Sequence, residues 1–184
     1  MKLSLLAILL GVGMGLPQIY GLMKPAGLAA AARNFPRNLP AGVALMLLAT
    51  AWFAWNVNNE PIADFSIFKP YMIGAFIAVG VLACFFVQDF LAVRALAVLL
   101  LLLAKLMADA GRPHLSDSPW VLVIQGWAYV FVVLGIWFTV TPWRLRDLIN
   151  WATASAARVR LLCLIRLGFA ACVVLLGLTV FRAM

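Results

Sequence analysis

Few side chains in this sequence can do chemistry, and several of them stand inside long apolar runs. Arg166 lies between Ile165 and Leu167, Lys105 and Arg94 lie between Leu91 and Ala110, and Gln125 lies between Pro119 and Val140. Placing an ionisable group in hydrocarbon is expensive, so each is a candidate site. Arg94 is close to the polar turn at Gln88–Asp89. Its long side chain is expected to reach the membrane surface and pair with Asp89. Lys105, Asp109 and Arg112 follow the i, i+4, i+7 spacing that gathers charges on one helix face. Arg166 falls roughly one and a half helical turns inside a run that starts at Leu161. It either reaches back to the surface as an anchor or meets a buried partner or an anion. Gln125, one turn before Tyr129, carries an amide that needs a hydrogen-bond partner in lipid. An interhelical bond is the first expectation and a substrate contact the second.

Several chemistries are set aside. With a single histidine, His114, the chain cannot supply two axial histidines to a haem. His114 with Asp109 and Asp117 has a metal-friendly composition, but no pair has a recognised helical ligand spacing. No HExxH and no phosphate-binding loop occurs. No aspartate or glutamate stands mid-run, and the one serine in a run is Ser4 at its edge. The expectation is a protein that is not an enzyme and has no cofactor or metal. Cys84, Cys163 and Cys172 all fall within apolar runs, which fits small packing residues better than a disulfide framework. Cys84 and Cys163 are expected at similar depth.

The elements that hold these residues follow from composition. Of 184 residues, 66% are hydrophobic and 11% charged, against about 25% charged in soluble domains. A spanning helix needs about 20 apolar residues. The runs are continuous rather than alternating, which argues against a transmembrane β-barrel. The fold class is therefore an all-α integral membrane protein of about six transmembrane helices. Spans are expected over 3–23, 40–57, 70–87, 91–110, 119–140 and 161–181, in a single polytopic domain. Pro40, Pro70, Pro119 and Pro142 stand at expected helix starts, where a missing N–H is harmless. Pro17, among Gly11, Gly13, Gly15 and Gly21, is expected to kink or shorten the first helix. Lys2 before Leu3–Val12 also has the form of a cleavable signal, a reading disfavoured by where the later basic residues would then lie.

Between 143 and 160, Leu145, Leu148, Ile149, Ala152, Ala156 and Val159 share one helical face opposite Arg146, Asp147, Asn150, Arg158 and Arg160. This predicts an amphipathic helix in the membrane interface, with Arg144, Arg146, Arg158, Arg160, Trp143 and Trp151 toward anionic headgroups. Two surfaces with small residues at four-residue spacing, Ala7–Gly11–Gly15 and Gly74–Ala78, suit close helix approach within the chain or to another helix. Lys24, Arg33, Arg37, Arg94 and the four late arginines occupy odd loops, against Lys69, Lys105 and Arg112 in even ones beside Glu60, Asp64, Asp109 and Asp117. Odd loops belong in the cytoplasm and both termini outside. The net charge of +8 suits anionic lipid, and no soluble basic domain is left to bind nucleic acid. The expected partners are the bilayer and other membrane helices, in a homo- or hetero-oligomer in a bacterial inner membrane. The expected role is an accessory, assembly or scaffolding subunit. A small transporter or channel is the rival, for which a three-plus-three inverted arrangement is topologically allowed.

Overall fold

The computed structural model describes residues 2–60 and 67–182; Asp64, counted above in the second loop, lies outside them. Among the described residues the chain forms eight α-helices. Six are long and apolar enough to cross a membrane: α1 (Leu3–Met23), α3 (Leu39–Asn59), α4 (Lys69–Phe86), α5 (Leu91–Gly111), α6 (Val121–Val140) and α8 (Ala156–Leu178). Two short ones, α2 (Pro25–Asn34) and α7 (Trp143–Ala152), lie between spans. The protein is an all-α, multi-pass membrane protein.

Local chemistry explains most helix ends. Proline opens α2, α3 and α4, and the Asn38 side chain caps α3 by accepting from the Ala41 N–H at 3.1 Å. The fifth span starts at Val121, two residues after Pro119, because Ser118 and Pro119 form the preceding turn. α1 runs from Leu3 to Met23, the bounds expected of the first span, with Pro17 inside it, so of the two expectations at Pro17 the early end is not met. Segment 25–34, read above as loop, is helical; its Ala-rich run after a proline favours this.

The amphipathic helix expected over 143–160 is two pieces. α7 stops at Ala152, a turn follows, and Ser155 caps α8 by accepting from the Arg158 N–H at 3.2 Å. Residues 156–160 are the first turn of a spanning helix that begins five residues before the expected Leu161. Thr141 does not cap α7, since its hydroxyl donates back to Trp137 O at 3.0 Å.

α5 is the central helix, packed against α3 and α6, while α4 packs against α3. Half of the apolar stretch of α5 is buried inside the protein, against 11% of that of α4. α1 and α8 form the tightest pair and meet the rest through α5 and through Trp127 on α6, whose ring lies 5.1 Å from Phe169 on α8. The largest core joins the ends of α1, α5, α6 and α8 around Leu6, Met107, Val121, Ile124 and Val173. A second joins Met46, Leu91 and Ala95 across α3 and α5. A third joins Val93, Ala97 and Phe138, with Leu145 holding α7 down onto the bundle.

Candidate functional site

The polar residues of the spans are mostly spent on backbone. The Gln125 amide donates to Ala108 O on α5 at 3.1 Å, which leaves it 9% exposed between two helices. Thr50, Asn56 and Thr139 each donate to the carbonyl four residues back on their own helix. Gln18, passed over in the sequence beside Pro17, is buried and donates to Met14 O at 3.1 Å. An amide directly after a mid-helix proline was the available signal, because proline disturbs the local carbonyl ladder.

Lys105 bridges two carboxylates, Asp109 on its own helix and Glu60 at the end of α3, each at 2.7 Å. Arg112 does not join them, since α5 ends at Gly111 and Arg112 begins a short 3₁₀ turn. Asp117 pairs with His114 at 2.8 Å. The trio His114, Asp109 and Asp117 is thus divided, Asp109 going to Lys105 and Asp117 to His114. Cys84 lies on α4, packed on α3, and Cys163 lies on α8 facing α1, so the two are in different helix pairs.

Arg166 is exposed on α8 among exposed Leu161, Leu164 and Ile165, and makes no hydrogen bond or ion pair among the described residues. It faces outward from the chain rather than into a buried site. Arg94 is half-buried, and its Nε is fully covered without a hydrogen-bond partner. The expected pair with Asp89 does not form within ion-pair distance.

Basic groups collect on one side, where α1, α4 and α6 end and α3, α5 and α8 begin. There the Arg33 guanidinium donates to both Thr153 Oγ1 (2.8 Å) and Thr153 O (2.7 Å), tying α2 to the end of α7. Arg158 lies 5.2 Å from the centre of the Trp151 ring and donates to Trp151 O at 2.8 Å. Arg146 is held by its neighbour Asp147. Arg144 and Arg160 are exposed, as are Trp143 and Trp151. The result is a shelf of two short helices bearing aromatic and basic groups, suited to the headgroup region.

The small-residue surfaces separate sharply. Ala7 is fully buried, and Gly11 lies so close to α8 that an added Cβ would meet Val174 Cγ2 at 2.6 Å and Ala170 O at 3.0 Å. Gly15 faces Ala170 Cβ at 3.5 Å. This stripe is used within the chain. Gly74 has nothing within 4 Å of an added Cβ, and Ala78 is exposed.

No protein family model, curated protein or solved structure matches this chain.

Proposed function

We propose that the chain is a non-catalytic subunit that assembles with other membrane helices in a bacterial inner membrane, with its basic shelf on the cytoplasmic side and both termini outside. What carries this reading is the fate of the polar groups in the spans. Thr50, Asn56, Thr139, Gln18 and Gln125 all donate to backbone carbonyls of this chain. Gln125 alone crosses between helices and the other four bond within their own helix, so these donors are engaged by the chain rather than offered to a path. α4 adds support, because it rests chiefly on α3 and turns Gly74 and Ala78 outward. Such a pair lets another backbone come close. An inverted repeat would pair α5 with α4 as α1 pairs with α8, whereas α5 packs on α3 and α6.

A second reading, a transporter working as a homo-oligomer, draws on Arg166, a guanidinium within a span that faces away from the chain. A second copy could complete a polar site there. The test is the mass and composition of the protein extracted gently from its native membrane. Reproducible co-purifying chains in a large assembly favour the subunit reading. A discrete homo-oligomer favours the transporter, and flux lost on Arg166→Leu with assembly retained would establish it.

A further inference from the structure

A cavity of about 450 Å³ opens at the turn between α4 and α5, lined by Phe85, Phe86, Val87, Gln88, Asp89 and Arg94. It lies on the basic side of the protein, where α4 ends and α5 begins. Its two charged groups have opposite signs, yet they form no ion pair with each other among the described residues. Arg94 Nε is covered and has no partner. A charged donor left unmade is costly, and the Arg94 side chain, which lines the cavity, makes no hydrogen bond or ion pair among the described residues, so an acceptor brought into the cavity would meet an unengaged guanidinium.

One helical turn deeper on both helices, at Ala83 before Val87 and Val98 after Arg94, lies a second hollow of about 270 Å³. Its walls are almost wholly apolar and include Met46, Phe53, Phe76, Val79, Gly80 and Ala83. It lies between α3 and α4 and reaches Val98 on α5. The α4 residues that line the two hollows run from Val87 to Phe76, roughly 16 Å along the helix, a length that suits an acyl chain. A polar cavity with a cation and an anion above an apolar groove is the outline of an amphiphile.

We propose that the α4–α5 turn and the groove beneath it hold one amine-bearing phospholipid, of the phosphatidylethanolamine class. Its phosphate accepts from the Arg94 guanidinium, its ammonium faces Asp89, and one acyl chain lies along α4 against Phe76, Val79 and Ala83. Charge complementarity selects the occupant. An anionic headgroup without an amine leaves Asp89 opposed to negative charge, and a detergent or fatty acid leaves one of the two charged groups without a counterpart. This assignment is independent of the assembly role proposed above.

Native mass spectrometry of the full chain, purified in mild detergent, tests it with dioleoyl-phosphatidylethanolamine and dioleoyl-phosphatidylglycerol added at equal concentration. The expected result is a single phosphatidylethanolamine adduct that survives collision energies stripping all others. Arg94→Gln should lower its occupancy at least fivefold. Asp89→Asn should abolish the preference over phosphatidylglycerol. Val79→Trp, at a position 64% exposed, should fill the groove and lower occupancy with Arg94 intact, so the proposal stays testable if Arg94→Gln does not fold. Unchanged occupancy in folded Val79→Trp, as judged by helical circular dichroism, overturns the groove assignment. A wild-type preference for phosphatidylglycerol, or no adduct outlasting bulk lipid, overturns the proposal.

Discussion

Gln125 crosses between two helices with one hydrogen bond, and its worth can be measured. Such bonds contribute about 1 kcal/mol in membrane proteins, so Gln125→Leu should lower the unfolding midpoint in a denaturing-detergent titration by a corresponding modest amount. Gly111 sharpens the test, since an added Cβ there would stand 2.6 Å from Gln125 Nε2. Gly111→Ala should therefore push the amide off Ala108 O and cost stability in the wild type. It should cost less in a Gln125→Ala background. Additive effects in that double-mutant cycle would mean the two residues do not act on each other. The need of Gln125 for a partner was legible in the sequence, because a lone amide in an apolar run has few alternatives. Which carbonyl it takes was not, since that depends on how α6 lies along α5. The same limit hid Glu60 from Lys105, which lie far apart in sequence and meet only where α3 ends beside α5. Arg94 was misread for the opposite reason. Its neighbour Asp89 is close in sequence, but the two are separated by the turn at Phe90, a non-glycine residue at φ 55°, and line one cavity without forming an ion pair.

Helices α1 and α4 carry similar small-residue spacing and should respond differently to the same change. Gly11→Ala forces a Cβ into Val174 and Ala170 O. Overpacking of this kind costs about 1–3 kcal/mol, seen as a lower thermal midpoint of the purified protein. Gly74→Ala should not lower that midpoint and should raise it slightly, because nothing stands within 4 Å and alanine favours the helix. If Gly74→Leu also leaves the fold intact while a co-purifying partner is lost, the outward face of α4 is the assembly face. The apolar runs made the spans readable, since each is bounded by proline or charge. The break at Thr153 was not, because the apolar residues on either side stay in helical phase through the turn. Ser155, with its hydroxyl on the Arg158 N–H, was the one local sign of a new helix start. The tie from α2 explains why the break is held. Arg33→Ala removes both bonds to Thr153, so amide exchange around 153–155 should quicken several-fold while the global midpoint stays.

The whole molecule is an open assembly of helices around α5 rather than a closed ring, and its asymmetry of charge is what a membrane can read. Lys24, Arg33, Arg37, Arg144, Arg146, Arg158 and Arg160 lie where α1 and α6 end and α8 begins. On the opposite side, Lys105 is neutralised by Asp109 and Glu60, and Asp117 faces His114. Basic loops are retained in the cytoplasm, and in the orientation proposed above the exposed Arg144 and Arg160 would lie beside anionic lipid, each adding about 1 kcal/mol of attraction. Single cysteines read this orientation directly. In a background with Cys84, Cys163 and Cys172 changed to alanine, Ser116→Cys should react with a membrane-impermeant maleimide in intact cells. Asn150→Cys, on the exposed face of α7, should react only after the membrane is opened. The reverse pattern would put the shelf outside and remove the electrostatic reason for its arginines. Equal labelling of both positions would point to dual insertion, in which case two copies of opposite orientation could bring their outward α4 faces together.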